Sequence, residues 1–461
     1  MFKLSPHIDK NKVFLVNLSE IEGVLSPLFF KSKPLPLKYN QKLKKIANIN
    51  PIRKKPVFDD NDLVPYIGLP ETDEHTREIT SVILRPYKEV KGRNVIYPND
   101  ILFARIEPSI FNQKYIFAGD LKGYDFAFTS TEFYIIEQKS INIKYIFHLL
   151  FSDYIFNQIK GKTTGSTGRR RLDLEAFKNI EIPVIDDYKK IIDLYETAYQ
   201  TKQQKEAEVE KLLNSIDDYL LGELGITLSK KDNSLENRIF KVNFSKVTGN
   251  RWNSEYHQTY FANCYKSMSK LYNLVELSKL SLEIFQGVGR NLTDDNTYTL
   301  LKVKNIKRYN EIDYEDVEYV QNVPKFKLLK KNDIISPFIG EAIRQIKFSI
   351  FDKEDGSWTV DNNTGVIRLN QDLVNPLFIS QILNSKIGRI QILQLIGGGG
   401  VPFLGAYNVK KFKIPLPPIE KQNEIAKHIK EIKEQAKKLK VEAKEVLEQA
   451  KIEVEKIILG E

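Results

Sequence analysis

The sequence predicts an α+β protein in which two globular, α/β-mixed domains are separated by two long antiparallel α-helices and related by a pseudo-two-fold repeat. One set of short motifs occurs twice in the same order, and within each copy β-rich runs alternate with amphipathic helical segments. A charged helical stretch follows each copy. The length of 461 residues suits about three folding units at ~150 residues each.

The repeat is visible as a series of matches at nearly one offset. Asn99–Leu102 recurs 233 positions later as Asn332–Ile335. The further matches, given as pairs, are Gly23–Phe29 with Asn250–Tyr256, Thr131–Tyr134 with Thr364–Ile367, Gly165–Gly168 with Gly397–Gly400, Phe177–Pro183 with Val409–Pro415, and Leu221–Glu223 with Leu459–Glu461. A period of half the chain is far longer than a solenoid repeat, so each copy is a domain plus a helix.

The repeat divides the chain into four segments. We predict one domain over residues 1–184, a central helix over 185–226, a second domain over 227–415 and a C-terminal helix over 416–461. The best amphipathic helix of the first domain is Ile141–Ile159, and its counterpart is Pro376–Leu395.

The two long helices, of which the central one is expected over about Tyr188–Leu221, carry apolar residues that step by four and then three positions. This spacing keeps one seam facing a partner helix, which predicts a coiled-coil-like spacer. The seam residues are Ile191, Ala198, Val209, Leu212 and Ile216 in the central helix, and Ile425, Ile429, Ile432, Leu439 and Val446 in the C-terminal helix. Alternatively, each helix lies on its own domain, or another subunit docks along its exposed side.

Composition excludes several classes of protein. Lys and Arg number 70 against 60 for Asp and Glu, and the resulting +10 charge permits a polyanion partner without proving one. A single cysteine, Cys264, excludes an internal disulfide, and the five histidines lack metal-ligand spacing, so we expect no metal. No apolar run is long enough for a signal peptide or a membrane span, and we expect a cytoplasmic protein with no membrane partner.

No catalytic motif is complete. The Gly-Lys-Thr string at Gly161 lacks the upstream glycine of a phosphate loop. A nuclease would be conceivable from Glu137 and Lys139 with upstream aspartates, but by the repeat their counterparts, Asn370 and Asp372, could not perform the same role. We therefore expect no catalytic residues and a chain that binds.

The best binding candidate is the loop Gly161–Arg171. Its small residues let the backbone approach a phosphate, and its hydroxyl and guanidinium groups can bind phosphates or guanine edges. The candidate DNA-binding residues here are Lys162, Thr163, Thr164, Ser166, Thr167, Arg169, Arg170 and Arg171. The second copy has an uncharged loop containing Gly398 and Gly399. The positive charge for DNA binding by the second domain must therefore come from other candidates, namely Arg290, Arg344, Lys347, Lys410 or Lys411.

The repeat and several of its motifs resemble the specificity (S) subunits of type I restriction–modification enzymes. The resemblance covers nearly the whole chain and is carried by Ile180–Pro183, by Phe412–Gln422 leading into a long helix, by the glycine loops and by Arg251–Tyr256. Two departures are the missing double proline at Val184–Asp186 and the different charge of the two glycine loops.

This resemblance implies a non-catalytic subunit with two target recognition domains, each of which reads half of a bipartite, asymmetric sequence in double-stranded DNA. The partners would be two methyltransferase (M) subunits and restriction/translocase (R) subunits. S-adenosylmethionine, ATP and Mg²⁺ would be bound by those partners and not by this chain. The resemblance thus places the chain in DNA methylation and phage defence. Alternatives are a stand-alone specificity protein of a related defence locus, the nuclease considered above, and an adaptor that binds only proteins.

Overall fold

The computed structural model describes residues 40–166, 170–232, 234–235, 239–247, 251–289 and 297–459. These residues form two compact units. The first unit takes residues 40–204 and 442–459, and the second takes residues 205–441 with the gaps just given. None of the helices described is both long enough and apolar enough to span a bilayer.

The first unit contains two four-stranded sheets, three strand pairs and short helices. Its strands are β1 (Asn40–Lys42), β2 (Ala47–Ile49), β3 (Leu63–Ile67), β4 (Thr72–Asp73), β5 (Glu78–Ile79), β6 (Ile83–Pro86), β7 (Asn94–Ile96), β8 (Asp100–Ala104), β9 (Tyr115–Ala118), β10 (Ala127–Thr129), β11 (Phe133–Gln138), β12 (Thr163–Thr164), β13 (Arg171–Leu172) and β14 (Glu181–Pro183). Its helices are α1 (Leu43–Ile46), α2 (Tyr87–Val90), α3 (Glu107–Phe111), α4 (Ile143–Leu149), α5 (Asp153–Ile159), α6 (Leu174–Lys178) and the beginning of α7 (Tyr188–Glu223).

The second unit repeats much of this order. Its strands are β15 (Leu274–Glu276), β16 (Ser281–Gln286), β17 (Tyr298–Leu301), β18 (Glu318–Val320), β19 (Ile334–Pro337), β20 (Ser349–Ile350), β21 (Trp358–Val360), β22 (Thr364–Leu369) and β23 (Lys413–Pro415). Its helices are α8 (Phe244–Val247), α9 (Thr259–Met268), α10 (Leu277–Leu280), α11 (Pro376–Asn384), α12 (Lys386–Leu395), α13 (Gly405–Val409) and the beginning of α14 (Ile419–Leu459), and 3₁₀ turns cover Ser254–His257, Val303–Asn305, Arg308–Asn310, Lys325–Lys327 and Glu341–Gln345.

Sheet topology confirms that the two units share one fold. The strand order β2-β11-β8-β9 of the first unit corresponds to β16-β22-β19-β20 of the second. The order β6-β3-β10 corresponds to β18-β17-β21. In each case the middle strand pairs in parallel on one side, β3 with β10 or β17 with β21, and antiparallel on the other side, β3 with β6 or β17 with β18. Each unit is therefore an α+β domain built on the same plan.

Strand register corrects one match of the repeat. The equivalence suggested for Thr131–Tyr134 is wrong by two residues, because Ile136 lies opposite Ile101 whereas Ile367 lies opposite Ile334. Ile101 and Ile334 are equivalent at the 233-residue offset, so Ile136 corresponds to Ile367. A shift of two residues keeps every side chain on the same face of a strand, which is why the apolar pattern alone does not detect it.

A buried charge cluster lies beside the first of these sheets. Both oxygens of the Asp100 carboxylate accept hydrogen bonds from Arg53, at 2.6 and 2.8 Å, and a third bond runs from Arg53 to Glu137 at 2.6 Å. Asp100 is buried and also accepts a hydrogen bond from the amide of Tyr97. The cluster holds one cation against two anions.

The second unit has the same cluster with the charges rearranged. Asp333 occupies the place of Asp100 and is bound by Arg368 at 3.0 and 2.8 Å. By register, Arg368 stands where the first unit has Glu137, and the second carboxylate comes from Glu283 on the neighbouring strand. The arrangement is again one cation against two anions, so the buried aspartate is compensated in both units.

One glutamine in each unit fixes the strand that precedes the long helix. Gln158 is buried, donates to the carbonyl of Glu181 at 2.8 Å and accepts from the Glu181 amide at 2.8 Å. Gln391, 233 positions later, makes the same two bonds with Lys413, at 3.0 and 2.6 Å. The strands held in this way, β14 and β23, pair with β1 and β15, which closes each domain on itself.

Two helices predicted as continuous are each broken in the middle. Ile141–Ile159 forms α4 and α5, and Pro376–Leu395 forms α11 and α12. Ser152 caps α5 by accepting a hydrogen bond from the amide of Ile155, and Ser385 caps α12 by accepting from Ile387. A serine that bonds the backbone of a new first turn ends the preceding helix, whereas apolar spacing continues through the break.

Both long helices contribute to the core of each unit. In the first unit, Ile191 and Tyr195 of α7 join Val454 and Ile458 of α14 in one apolar cluster. In the second unit, Ile216 and Leu220 of α7 join Ile425 and Ile429 of α14, together with residues of α11 and α12. Each domain therefore packs on segments of both helices.

We expect Gln391→Leu to lower the free energy of unfolding of the second unit by about 2 kcal/mol or more, because the amide and the carbonyl of Lys413 both lose the partner that the buried Gln391 supplies. Urea unfolding followed by tryptophan fluorescence measures this, since Trp252 and Trp358 both lie in that unit. The control is Gln345→Leu at an exposed position, which should change stability by less than about 0.5 kcal/mol. Equal effects of the two substitutions would contradict the anchoring role of Gln391.

Candidate nucleic-acid interface

The basic loop of the first unit is the tip of a short hairpin. β12 pairs with β13, and Thr164 lies opposite Arg171. The amide of Leu172 donates to the carbonyl of Arg105, and the amide of Glu107 donates to the carbonyl of Arg170, each at 2.9 Å. The backbone on both sides of the hairpin is thereby fixed where strand β8 passes into helix α3.

Two candidate side chains of this hairpin hold its base. Thr163 is buried, and its hydroxyl donates to the Glu107 carboxylate at 2.9 Å. Arg170 donates to the Thr163 carbonyl at 2.9 Å and lies 3.7 Å from the same carboxylate. Thr164 and Ser166 are exposed, whereas Lys162 is half-buried. Thr167 and Arg169 lie outside the described residues.

Arg171 forms a two-pronged ion pair with Glu132. Its Nε and Nη2 atoms lie 2.9 and 2.7 Å from the two carboxylate oxygens. The hydrogen bond from Arg171 lowers the pKa of Glu132, against the effect of burial. Arg93 and Arg105 add to the positive potential that acts on this carboxylate.

Sequence reasoning missed Arg93 and Arg105, which lie far from the glycine loop along the chain. The amide of Arg105 donates to the carbonyl of Glu132, and its guanidinium lies 5.1 Å from the centre of the Tyr134 ring. The pairing of β8 with β11 brings Arg105 to the hairpin. Arg93 precedes β7, which pairs with β10, and donates to the Thr131 hydroxyl at 3.1 Å. No local motif signals either contact. The candidate surface is thus wider than the loop.

The second unit has a hairpin at the equivalent place. The amides of Gly397 and Phe403 each donate to the carbonyl of the other at 2.8 Å, and the amide of Gly340 donates to Pro402, as Glu107 does to Arg170. Gly398 has φ +98°, and a Cβ atom there would lie 2.0 Å from the Val401 carbonyl oxygen, so this turn requires glycine.

This second hairpin presents apolar and aromatic groups where the first presents arginines. Val401, Phe403 and the nearby Tyr407 are exposed, and Lys411 lies over the Tyr407 ring at 4.0 Å. A cavity of about 900 Å³ beside the hairpin is lined by Gly398 and Arg344 among others. The Nε atom of Arg344 lies 3.1 Å from the carboxylate of Glu341.

The other candidates of the second unit are spread out. Gly399 and Lys410 are exposed, the latter at the end of α13. Lys347 does not line the hairpin cavity; burial first, and then the charges of Lys307 and Arg308, lower its pKa, which places it in a separate basic group. Arg290 lies outside the described residues. The structure therefore brings together Arg344, Gly398 and Lys411, the last through Tyr407, but not Lys347.

The seam residues of the long helices are buried or half-buried. In the first unit Ile191 and Ala198 are buried and Val446 is half-buried. In the second unit the buried members are Val209, Ile216, Ile425, Ile429 and Ile432, and the half-buried members are Leu212 and Leu439.

Comparison with known proteins identifies the family. The model of the type I restriction modification DNA specificity domain matches residues 39–211 and 288–449. The chain belongs to this family. The two matches fall on the two halves of the repeat, and each includes one of the two hairpins.

A curated relative in the family is the specificity subunit of the type I restriction enzyme MjaVIII from Methanocaldococcus jannaschii, which is 23% identical over 310 residues. The alignment covers 64% of this chain and 65% of the relative, so the chain spans just under two thirds of that protein's length.

One solved structure with a TM-score above 0.5 supports the same fold. It comes from work on complex assembly and conformational transition of the type I R-M system. That chain has a TM-score of 0.52 and is 14% identical, and the match covers 93% of this chain and 98% of that chain. The HsdS subunit from Thermoanaerobacter tengcongensis gives a TM-score of 0.36 at 14% identity, with 94% and 95% covered.

The nuclease hypothesis for this family member finds no support in the geometry. Glu137 accepts hydrogen bonds from Asn48 and Arg53, which lower its pKa although burial acts in the opposite direction. Lys139 is exposed. Within the described ranges, His, Cys, Asp and Glu side chains nowhere form a group of three or more that could hold a metal ion. Arg368, and not Asn370, is the residue equivalent to Glu137, so the predicted counterparts Asn370 and Asp372 were wrong in register.

We expect Glu132→Gln to loosen the first hairpin, because the charged partner of Arg171 is lost. Hydrogen exchange should show a lower protection factor for the Leu172 amide, whereas Glu175→Gln, which breaks a more exposed ion pair with Lys178, should leave it unchanged. Since the pKa of Glu132 is lowered in the folded state, the ion pair stabilises the hairpin above the ordinary glutamate pKa of about 4.3 and is lost as pH falls through the lowered value. Full protection retained in Glu132→Gln would contradict this role.

Proposed function

We propose that the chain is the DNA-recognition subunit of a type I restriction–modification complex and that each unit reads one half of a bipartite, asymmetric target in double-stranded DNA. The observation that carries the proposal is the pair of hairpins, which are fixed at equivalent places on one repeated fold and present different side chains. Two copies of one frame with unlike reading surfaces suit an asymmetric target, because each surface can match different bases.

Charge and shape support different modes of contact by the two units. The first hairpin carries arginines that can donate in pairs to phosphates or to guanine edges. The second has exposed Val401, Phe403 and Tyr407, which suit apolar contact with thymine methyl groups, with cations from Arg344 and Lys411 beside them. Lys162, Thr164, Ser166, Thr167, Arg169, Gly399, Lys410 and Arg290 remain candidates for contact, and Lys347 is a candidate only for a separate phosphate contact.

The long helices have the role of a spacer in this proposal. At ~1.5 Å per residue, a helix of 36 residues has a length on the order of 50 Å, more than one ~34 Å turn of B-DNA. Apolar residues of α7 and α14 that share one buried cluster in each unit support an antiparallel pair. The exposed sides of the helices would dock two methyltransferase subunits.

The remaining activities belong, in this proposal, to partner subunits. The methyltransferase subunits would bind S-adenosylmethionine, and the restriction subunits would bind ATP and Mg²⁺. This chain would act in the cytoplasm and contribute no catalytic residue. Its role would be to determine which DNA sequence the complex binds.

We expect the triple substitution of Arg169, Arg170 and Arg171 by alanine to weaken DNA binding by the assembled methyltransferase complex. The slope of log K against log salt should become shallower by about one for each arginine that contacts a phosphate. Lys139→Ala, an exposed charge away from the hairpin, is the matched control. Unchanged affinity and slope in the triple variant would refute DNA contact by this hairpin and favour an adaptor that binds only proteins.

We expect a seven-residue insertion in both long helices, after Gln204 in α7 and after Val441 in α14, to lengthen the gap between the two halves of the target. Seven residues preserve the 3.5-residue seam and add about 10 Å of helix. Methylation-site sequencing would measure the gap. A target with an unchanged gap would contradict the spacer role, and replacement of seven residues without a change of length is the control.

A further inference from the structure

A second feature of the first unit is a cavity of about 460 Å³ that lies away from the hairpin. Its walls come from residues 76–79, from residues 117–122 at the end of β9, from helix α4 and from helix α7. Phe117 and Phe147 supply apolar surface, and Arg77, Lys144 and His148 supply polar groups. The volume is in the range of small-molecule sites in proteins.

Arg77 is the unusual residue of this cavity. Its side chain is 9% exposed, and the guanidinium lies 3.4 Å from the centre of the Phe151 ring and 5.3 Å from that of Tyr199. Among the described residues, no carboxylate forms an ion pair or a hydrogen bond with it. A buried cation without an anion is costly, because aromatic faces replace only part of its hydration.

The backbone conformation at residue 77 is one that favours glycine, yet the position holds an arginine. The residue has φ +58°, a left-handed conformation that is unfavourable for a residue other than glycine. The Tyr199 hydroxyl donates to the carbonyl oxygens of His75 and Thr76, which holds the segment in place. The fold therefore keeps a charged side chain at a strained position facing a cavity.

The anionic groups near the cavity are engaged or do not reach Arg77. Glu196 accepts from Lys144 at 2.7 Å, and Glu78 and Asp120 line the cavity without bonding to Arg77. His148 is buried, and its Nδ1 atom has no hydrogen-bond partner. Burial, and then the charges of Arg77 and Lys144, lower the pKa of His148 to about 3, so its ring is neutral. The Nε2 atom of His148 lies 3.9 Å from the Glu196 carboxylate. The Arg77 guanidinium, beside the neutral ring of His148, is thus left without an anion from the described residues at the cavity.

The equivalent place in the second unit also has a cavity, but with a different buried cation. Gln381 takes the position of His148, beside a cavity of about 390 Å³ where Lys433 is the buried cation. Burial lowers the pKa of Lys433 to about 8, so this lysine loses its proton more readily than an exposed lysine but is still mostly charged at neutral pH. Burial lowers the pKa of Arg77 to about 10, so the arginine stays charged over a wider pH range. Of these two buried cations, Arg77 is the one whose charge is harder to remove.

We propose that the cavity around Arg77 is a binding site for a small organic molecule with a carboxylate or phosphate group, whose charge is bound by Arg77 next to the neutral ring of His148 while its apolar part contacts Phe117 and Phe147. The site is separate from the hairpin, so the inference does not depend on the proposed function. Because residues 76–79 and helix α7 both line the cavity, a bound anion would join the domain to the beginning of the long helix.

The test is an equilibrium titration of the full-length chain with inorganic phosphate, phenyl phosphate and benzoate at constant ionic strength. We expect saturable binding of at least one probe, and the comparison of the three separates phosphate from carboxylate recognition. Arg77→Met should weaken binding about tenfold or more, because a charge-assisted bond is lost. Arg85→Met, which removes an exposed arginine over the Tyr66 ring in the same unit, should change it less than about twofold.

A second measurement does not depend on the folding of Arg77→Met. The ring signals of His148, assigned by comparison with His148→Gln, should shift in proportion to occupancy, and the triple alanine variant of the hairpin should bind the probe as the natural chain does. Absence of saturable binding for all three probes, unshifted His148 signals at saturation, or equal affinity of Arg77→Met would each overturn the proposal.

Discussion

The structure depends most on the closure of each domain at the strand that leads into the long helix. Gln158 and Gln391 are buried and bond both backbone groups of one residue in β14 or β23. These strands pair with β1 and β15, so the two ends of a domain meet where the helix begins. A donor and an acceptor that are satisfied by one side chain cannot shift register without both bonds being lost, and this fixes the strand from which each long helix continues. The hairpins are held separately, by the backbone bonds of Glu107 with Arg170 and of Gly340 with Pro402.

On this shared frame the surfaces have diverged. The charge cluster keeps one cation and two anions in both units, although Arg53 in one case and Arg368 in the other supplies the cation. The hairpins keep their backbone bonds, although one carries arginines and the other Val401 and Phe403. Interior bonds restrict the backbone, whereas exposed side chains are free to vary, and this division supports the proposal that the two copies read different bases.

Much of the fold follows from the sequence because the duplication is visible in it. The offset of Asn99 and Asn332, the helical spacing and the motif before each long helix predict two similar α+β domains, each followed by a helix. Two predictions, the register of one strand match and the continuity of two helices, were wrong for physical reasons. A two-residue strand shift preserves the pattern of faces, and a serine cap breaks a helix without interrupting its apolar spacing.

The candidate site was less predictable. The glycine loops identified both hairpins, but the roles of Thr163 and Arg171 depend on Glu107 and Glu132, which are distant in sequence. Arg105 reaches the hairpin only through strand pairing, and Arg77 has no sequence motif. Contacts between residues far apart along the chain set these environments, and single-sequence patterns do not encode them.

The most direct measurement is the methylated sequence in cells that express this chain with the methyltransferase subunits proposed as its partners. Reading by two unlike units predicts a motif of two different short parts separated by a gap of fixed length and unspecified sequence. A short, uninterrupted motif, or two identical halves, would contradict it.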